Sequence, residues 1–207
     1  MDVQRFKKKP VLGILRGIET ACIEPLTETI ISGGLETIEI TMNTPQAAEL
    51  IRLAKQTSAG RLVIGAGTVL TMDLLRAALN AGATFIVMPV FVPDVMDYCV
   101  KHSIPVFPGA LTPQEAYHCW SNGATMVKIF PASVFGPRYF QALKGPFADM
   151  ELMAVGGVRP ENVAEYMSCG AAAVAIGENI FNRSRIRAGN FAAIRQSLAQ
   201  FLAAVPL

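Results

Sequence analysis

The residue with the clearest chemical potential is Lys128, which interrupts an apolar run. The run reads Ala124-Thr125-Met126-Val127-Lys128-Ile129-Phe130-Pro131, and a strand of this composition is normally buried on both faces. Burial disfavours the ammonium form, so the pKa of a lysine placed there falls toward neutrality. A neutral amine in a pocket can attack a substrate carbonyl and form a Schiff base. The alternative is a lysine whose stem packs on apolar surface while its ammonium group reaches water.

A carboxyl group occupies a comparable position in another apolar strand. Glu39 lies between Ile38 and Ile40, and residues two apart in a strand point to the same face. If the faces that carry Glu39 and Lys128 both point inward, the two side chains form a coupled acid–base pair, because each alone is costly to bury. The alternative is a buried salt bridge with a purely structural role.

These residues belong to a strand-and-helix repeat that runs along the chain. Short apolar segments recur about every 20 to 26 residues with amphipathic segments between them, which is typical of strand-plus-helix units and not of hairpins. Glycines end several of the predicted helices, and Thr112-Pro113 begins another. The predicted strands are Val11–Arg16, Thr37–Thr41, Leu62–Ala66, Phe85–Met88, Val106–Phe107, Thr125–Phe130, Leu152–Val155 and Ala173–Ile176.

Eight such units predict one domain over residues 1–207, an α/β fold of the (β/α)₈ TIM-barrel type. The 207 residues fall below the ~250 typical of that fold, so the helices and loops must be compact. The alternative is a doubly wound open sheet, whose usual sign is a glycine-rich nucleotide turn after the first strand. Gly13 and Gly17 lack the G-x-G-x-x-G spacing, which favours the barrel.

Polar residues and glycines follow the predicted strands at their carboxyl ends, where barrels carry their active sites. Gly156-Gly157 precedes Arg159-Pro160, which is predicted to begin a helix, and free backbone N–H groups there favour an anion. A tight turn without a ligand explains the two glycines equally well. The other candidate site positions are Arg16, Asn43, Thr68, Pro89, Phe130, Gly177 and Glu178.

Composition argues against several other functions. Only 16% of the residues are charged, and the formal net charge of +2 is too small to indicate nucleic-acid binding. Lys7-Lys8-Lys9, the one basic run, is interpreted as a solvated N-terminal flank. Neither a secretory signal nor the roughly 18 uninterrupted apolar residues of a membrane span is found in the sequence. We therefore expect a soluble, cytoplasmic protein that does not bind membranes.

Cysteine and histidine usage indicates no metal chemistry. The four cysteines are widely separated and form no C-x-x-C pair, so reduced, half-buried thiols in helical segments are expected. The two histidines, His102 and His118, have no partner at metal-ligand spacing apart from Cys119 next to His118, and we expect no metal site. The cysteines are Cys22, Cys99, Cys119 and Cys169.

Several short segments, each modest alone, occur in a recognisable order over roughly residues 10 to 180. They are Ile14-Leu15-Arg16, Leu35-Glu36-Thr37-Ile38-Glu39-Ile40-Thr41, Gly65-Ala66-Gly67-Thr68-Val69-Leu70, Pro105-x-x-Pro108-Gly109, Val127-Lys128-Ile129-Phe130-Pro131-Ala132 and Ala154-Val155-Gly156-Gly157-Val158. Together they resemble the KDPG/KHG aldolase family, class I enzymes that cleave 2-keto-3-deoxy-6-phosphogluconate and 4-hydroxy-2-oxoglutarate to pyruvate and an aldehyde.

The resemblance implies a small TIM barrel in which Lys128 forms the Schiff base and Glu39 is the general acid/base. Arg16 and Thr68 would bind the carboxylate of the pyruvyl portion, which suits the fork of a guanidinium group. It further implies a 2-oxo acid substrate, no metal or organic cofactor, and a homotrimer, the typical assembly of the family. The residues that would shape the pocket around the imine are Pro89 and Phe130.

The same resemblance places the far, usually phosphorylated, end of the substrate at Gly156, Gly157 and Gly177. Two departures from the family pattern concern specificity. Many relatives carry Arg where this chain has Asn43, and relatives acting on the galactonate-derived epimer carry Asn, which favours a galactonate-type or relaxed preference. Glu178 stands where relatives often have Ser, and a carboxylate beside a phosphate dianion lowers affinity. An unphosphorylated substrate such as 4-hydroxy-2-oxoglutarate therefore stays open.

Two other functions are compatible with the sequence. One is a sugar-phosphate isomerase or epimerase that uses Glu39 as a base without covalent chemistry. The other is a non-catalytic binding protein on the same scaffold, against which the presence of Lys128, Glu39 and Thr68 argues. The sequence alone does not distinguish between the candidate 2-oxo acids or specify the stereochemistry at C4.

Overall fold

The computed structural model describes residues 1–206, in which short strands alternate with helices as the sequence pattern predicts. The strands are β1 Val11–Leu15, β2 Thr37–Thr41, β3 Val63–Gly67, β4 Ile86–Val87, β5 Val106–Phe107, β6 Gly109–Ala110, β7 Val127–Ile129, β8 Leu152–Val155 and β9 Ala173–Ile176. The helices are α1 Val3–Lys8, α2 Thr20–Ser32, α3 Ala47–Ser58, α4 Met72–Ala81, α5 Pro93–Lys101, α6 Pro113–Ser121, α7 Pro137–Lys144, α8 Val163–Ser168, α9 Arg183–Arg187 and α10 Phe191–Ala203.

The strands pair in parallel in the order β5-β4-β3-β2-β1-β9-β8-β7-β6. β5 matches the predicted fifth strand, and β6 is a short additional strand that follows it after Pro108, which has no N–H to contribute to a ladder. The Pro108 carbonyl still accepts a hydrogen bond from the Lys128 N–H at 2.9 Å, so the chain continues from the β4 side to the β7 side and the cylinder closes. The predicted TIM barrel is confirmed, and the open doubly wound sheet is excluded.

Helix starts follow the expected capping chemistry at one site and depart from it at another. Thr112 and Glu115 form a capping box at the start of α6, as the Thr-Pro signal predicts. The predicted helix start at Arg159-Pro160 is wrong, because Asn162 Oδ1 accepts the Arg159 N–H at 2.8 Å and holds a turn there. Helix α8 begins only at Val163. Within residues 1–206, no helix has both the length and the apolar character needed to cross a bilayer.

The N-terminal segment forms a short helix, α1, that covers the end of the barrel at which the strands begin. Phe6 of α1 is only 4% exposed and belongs to the apolar cluster inside the cylinder. Lys7 pairs with Glu151, and Lys9 with Glu36, at 2.9 and 2.6 Å, next to the starts of β8 and β2. The basic run is solvated as interpreted, since all three lysines are exposed, but the flank forms a helix that the sequence interpretation did not include.

The barrel has two apolar cores, one between strands and helices and a smaller one inside the cylinder. In the interior core the ring of Phe85 lies over Gly65, where an added Cβ would overlap it. A glycine at this inward position of β3 therefore makes room for an aromatic side chain from the neighbouring strand. The other interior residues include Leu12, Val87, Phe107, Met126, Met153, Val155, Ala173 and Ala175.

The four cysteines are free thiols. Cys22, Cys99 and Cys119 lie in helices as predicted, whereas Cys169 is the residue that follows α8. Burial raises the pKa of Cys99 to about 12 and that of Cys119 to about 11, so both remain protonated and unreactive at neutral pH.

Candidate active site

A cavity of about 560 Å³ opens at the carboxyl ends of the strands. The structure brings together ten of the predicted site residues in its lining, and only Glu39 of the predicted set lies outside the lining. This is the position at which barrel enzymes bind their substrates. The predicted residues that line the cavity are Arg16, Asn43, Thr68, Pro89, Lys128, Phe130, Gly156, Gly157, Gly177 and Glu178.

Lys128 projects from β7 into this cavity. Its side chain is almost enclosed, because the residue is 5% exposed, and Nζ lies 5.1 Å from the centroid of the Phe130 ring. Burial lowers the pKa of Lys128; the negative charge of Glu39 partly offsets this effect, and the positive charge of Arg16 adds to it. The alternative of an ammonium group reaching bulk water is excluded. The arrangement provides an amine that can be neutral near physiological pH.

Glu39 lies on β2, deeper in the interior than the cavity wall. It is 1% exposed, and within residues 1–206 its Oε2 atom has no hydrogen-bond partner. Burial raises the pKa of Glu39, against the opposing effects of the Lys128 and Arg16 charges. Buried polar atoms are nearly always satisfied in folded proteins, so a carboxyl group kept in this state is a candidate for proton transfer and not for structural support.

The position of the Glu39 carboxyl group depends on Gly67, which the sequence interpretation did not identify as a site residue. An ideal Cβ built at Gly67 would overlap the Glu39 carboxyl oxygens. Any side chain at this position of β3 would therefore displace the acid. The available signal was the alternation of Gly65 and Gly67 along one strand, which indicates close approach by neighbouring groups on one face.

Arg16 follows β1 in a turn that is tied to the loop after β2. Gly17, with φ of +67°, donates its N–H to Thr44 Oγ1 at 2.9 Å. Thr44 Oγ1 lies 3.0 Å from Thr41 Oγ1, and both threonines are buried. The sequence interpretation did not assign either threonine to the site. Together they fix the backbone that carries the guanidinium group.

Thr68 follows β3 and adopts φ of +57°. A left-handed conformation is unusual for a β-branched residue, and such outliers occur mainly where the surrounding structure holds the chain for function.

On the neighbouring wall the backbone of Gly109 lies close to that of Pro89, as shown by the overlap that an added Cβ at Gly109 would have with the Pro89 carbonyl group. Both features shape the cavity next to Lys128.

The loop after β8 forms another wall. Gly156 and Gly157 have φ of +93° and +80°, conformations that glycine adopts without strain. A Cβ at Gly157 would come within 2.5 Å of the Ser133 Cβ. A turn separates these glycines from α8, so they do not lie at the start of a helix as the sequence predicts, and the anion site stays a prediction. The glycines are needed for the tight turn and its close packing.

The loop after β9 carries Glu178 with its carboxylate directed toward the chain that follows. Glu178 Oε1 accepts hydrogen bonds from Asn182 Nδ2 and from the Arg183 N–H, each at 3.3 Å. The Arg183 Nε atom lies 3.6 Å from Glu178 Oε2. Glu178 nevertheless lines the cavity, so a negative charge stands on its wall.

Asn179 connects the two loops and is a lining residue that the sequence interpretation did not include. Its Oδ1 atom accepts the Gly177 N–H at 3.2 Å, and its Nδ2 atom donates to the Val158 carbonyl at 2.9 Å. Asparagine often bonds to nearby backbone in this way, but the sequence does not show that Val158 is within reach.

Comparisons with known proteins agree with one another. A family model described as "Aldolase: KDPG and KHG aldolase" matches residues 3–197. The chain is 35% identical over 175 residues to the 2-dehydro-3-deoxy-6-phosphogalactonate aldolase of Escherichia coli K12, covering 84% of this chain and 85% of the relative. It is 33% identical over 193 residues to the 2-dehydro-3-deoxy-phosphogluconate aldolase of Treponema pallidum, covering 93% and 90% respectively.

A solved structure shares the fold over nearly all of the chain. The KDPG aldolase of Legionella pneumophila, with pyruvate captured at low pH as a covalent carbinolamine intermediate, superposes with a TM-score of 0.87 at 28% identity. The match covers 97% of this chain and 96% of that one.

Proposed function

The chain belongs to the KDPG and KHG aldolase family, and on that premise we propose that Lys128 forms a Schiff base with the carbonyl group of a 2-oxo acid. The protein is an aldolase, a carbon–carbon lyase. The observation that carries the proposal is the enclosed Lys128 amine, whose pKa burial lowers, in a cavity beside the buried Glu39 carboxyl group. The covalent carbinolamine captured in the Legionella relative supports the same chemistry.

The two shifted pKa values suit the first step. Burial lowers the pKa of Lys128 and raises that of Glu39, which favours a neutral amine and a protonated acid in the free enzyme. The amine adds to C2 of the substrate, and the carbinolamine loses water with the proton supplied by Glu39. The product is an iminium ion beside a carboxylate, and the new positive charge stabilises that carboxylate.

The cleavage step uses the same two groups. The Glu39 carboxylate, directly or through a water molecule, takes the proton of the C4 hydroxyl group. The C3–C4 bond breaks, its electrons move to the iminium ion, and the aldehyde leaves an enamine on Lys128. Glu39 returns the proton to C3, water hydrolyses the resulting iminium ion to release pyruvate and the free amine, and the proton set free by hydrolysis returns to the Glu39 carboxylate. Atoms and charge balance without a metal or organic cofactor.

The remaining cavity residues would orient the substrate. Arg16 and Thr68 would bind its carboxylate, since a guanidinium fork and a hydroxyl group can bond both oxygens. Pro89 and Phe130 would pack around the imine, and Asn43 would contact the hydroxylated portion near C4. Substrates of this kind include 2-keto-3-deoxy-6-phospho sugar acids of the gluconate or galactonate type, which the relatives' names specify, and 4-hydroxy-2-oxoglutarate.

Borohydride trapping tests the covalent step. Pyruvate and sodium borohydride should add a reduced pyruvyl group to one lysine, which peptide mass spectrometry should locate at Lys128. Lys128→Met should give no adduct and lose retro-aldol activity by at least about 10³-fold, because no other amine forms the electron sink. Lys101, an exposed lysine outside the cavity, provides the matched control: Lys101→Met should be trapped like the wild type.

The same experiment addresses the alternative functions. An isomerase or epimerase that uses Glu39 as a non-covalent base would convert a sugar phosphate without forming the adduct. A non-catalytic binding protein would show no retro-aldol turnover. Folded wild-type protein that gives neither adduct nor pyruvate release would contradict the proposal.

Assembly and location remain predictions. We expect a cytoplasmic homotrimer, as the family resemblance implies, and light scattering after gel filtration would measure the number of subunits. Large apolar side chains that are exposed in the single chain support burial against a second subunit; they include Val90, Val134 and Phe135.

A further inference from the structure

One wall of the cavity, the β8–β9 rim, departs from what a phosphate site requires. We define this rim by the cavity-lining residues of the loops after β8 and β9: Gly156, Gly157, Val158, Arg159, Gly177, Glu178 and Asn179. In TIM barrels the corresponding loops frequently bind phosphate through free backbone N–H groups. A dianion at such a site needs donors that are unengaged and a wall without negative charge.

The first departure is that Asn179 occupies a donor of the rim. The Gly177 N–H is bonded to Asn179 Oδ1 at 3.2 Å. The same side chain is anchored at its other end, because Asn179 Nδ2 donates to the Val158 carbonyl at 2.9 Å. A phosphate oxygen could reach the Gly177 N–H only by displacing a side chain held at both ends. Displacement would also leave the Val158 carbonyl without this donor, which adds to the cost.

The second departure is the negative charge of Glu178 on the rim. Its carboxylate is held by Asn182 and by Arg183, and the Arg183 guanidinium group lies next to it. This pairing reduces the effect of Glu178 on a ligand, but it also engages the positive charge that a phosphate would otherwise attract. Arg159, which is exposed, is the other cation of the rim. On its β9 side the rim therefore offers a dianion the Glu178 carboxylate and a Gly177 N–H that is already occupied, and Arg159 is the cation not paired with Glu178.

The same groups suit a hydroxylated, uncharged terminus. A carboxylate accepts hydrogen bonds from hydroxyl groups, and Glu178 can do so at Oε2 while Oε1 keeps its bonds to Asn182 and the Arg183 N–H. Arg159 can donate to a hydroxyl oxygen. An uncharged terminus need not displace Asn179, so the bonds between the two loops are preserved. The charges at the rim thus lower the affinity for a phosphorylated terminus but not for the same sugar acid without its phosphate.

We infer that Glu178 and Asn179 are specificity determinants that adapt this aldolase to an unphosphorylated 2-keto-3-deoxy sugar acid. The inference rests on the aldolase function proposed above and concerns only the far end of the substrate. It distinguishes this chain from the relatives whose names specify phosphorylated sugar acids.

The test compares one substrate with and without its 6-phosphate. Retro-aldol kinetics are measured with 2-keto-3-deoxygalactonate and its 6-phosphate, and with the gluconate epimers, by following pyruvate release. For the wild type we expect kcat/KM to be about tenfold higher for the unphosphorylated member of the preferred pair, because like charges at a binding site strongly reduce affinity. Equal values, or a preference for the phosphorylated member, would overturn the inference.

Two variants assign the preference to the named residues. Glu178→Ser removes the rim charge, and Asn179→Ala frees the Gly177 N–H; each should shift the ratio of the two kcat/KM values toward the phosphorylated substrate by about tenfold. Glu161 supplies the matched control, because it is an exposed carboxylate on the turn before α8 and outside the cavity lining. Glu161→Ser changes the net charge equally and should leave the ratio unchanged.

Failure of this inference can be distinguished from failure of the proposed function. Pyruvate trapping at Lys128 does not involve the rim, so each variant is first tested for the reduced adduct. If an adduct forms and the ratio in Glu178→Ser and Asn179→Ala equals that of the wild type, only the assignment of these two residues fails. If folded wild-type protein gives no adduct and cleaves neither substrate, the aldolase mechanism and the inference fail together.

Discussion

Two successive layers of the barrel interior each depend on a glycine of β3, one for apolar packing and the other for placing an acid of the active site. In the lower layer, Gly65 on β3 makes room for the ring of Phe85. In the upper layer, two residues further along the same strand, Gly67 makes room for the carboxyl group of Glu39, close to Lys128. The first side chain is apolar and fully buried, whereas the second has an unsatisfied buried oxygen and a raised pKa.

The comparison separates the residues that stabilise the barrel from those that are costly to bury. Phe85 packs edge-on against Phe107 with ring centroids 5.7 Å apart, an arrangement that adds to the free energy of burial. Glu39 and Lys128 would each lower stability if they acted only as core residues. A fold commonly tolerates such a cost where the groups perform chemistry. The apolar packing of the lower layer therefore offsets the loss of stability that results from burying Glu39 and Lys128 in the upper layer.

Among substitutions in the two layers, the largest expected effect is the loss of activity in Glu39→Gln. The amide keeps the shape of the carboxyl group but transfers no proton, so kcat should fall by about 10²- to 10⁴-fold. Borohydride trapping of pyruvate, which requires the amine, should remain detectable in Glu39→Gln. Steady-state pyruvate release gives kcat, and a decrease of less than tenfold would remove Glu39 from the proton-transfer role.

Comparing the pH dependence of Tm in the wild type and in Glu39→Gln should show how burial of the Glu39 carboxyl group affects stability. Because the pKa of Glu39 is raised in the folded protein above its usual value of 4.5, the folded state keeps a proton that the unfolded chain releases. Stability contributed by that proton is present below pH 4.5 and is lost as pH rises toward the folded pKa. The Tm of wild type should therefore fall relative to that of Glu39→Gln over this range. Parallel Tm profiles would show that the folded pKa is ordinary.

The next largest effect compares the two glycines directly. Gly65→Ala would push a methyl group into the Phe85 ring, and overpacking of this kind costs about 1–3 kcal/mol of unfolding free energy. Gly67→Ala would instead displace the Glu39 carboxyl group, so kcat should fall by about 10²-fold or more with a smaller change in Tm. Thermal unfolding and kcat are measured for both variants. Equal losses of stability and activity in the two would mean that the layers are not functionally distinct.

Much of the fold and the central pair of the site could be predicted from sequence, because both follow from periodicity within single segments. The bounds of β2 and β8 match the predicted strands, since strand composition is read locally. Alternation along β2 and β7 was enough to place Glu39 and Lys128 on inward faces. The helix α1 was missed because its six residues contain one buried apolar side chain, Phe6, and that side chain packs against residues distant in sequence.

Contacts between loops could not be predicted in the same way. The bond from Asn179 to the Val158 carbonyl, the approach of Glu39 to Gly67, and the bond from Gly17 to Thr44 each join segments well separated along the chain. Which loops become neighbours depends on barrel closure and register, and a single segment does not contain that information. The start of α8 was misplaced for a related reason, because the bonds of Asn162 favour a turn over the helix that Arg159-Pro160 suggested.

The smallest effect expected concerns Thr44, which supports the upper layer without belonging to the acid–base pair. Thr44→Val keeps the shape but removes the acceptor for the Gly17 N–H and the partner of the Thr41 hydroxyl group. A lost hydrogen bond of this kind costs about 1 kcal/mol, so the Arg16 turn should be held less firmly and KM for the 2-oxo acid should rise about fivefold with kcat nearly unchanged. Thr44→Ser retains the hydroxyl group and should restore KM. A KM that is normal in the valine variant, or equally raised in the serine variant, would show that the Thr44 hydroxyl does not position Arg16.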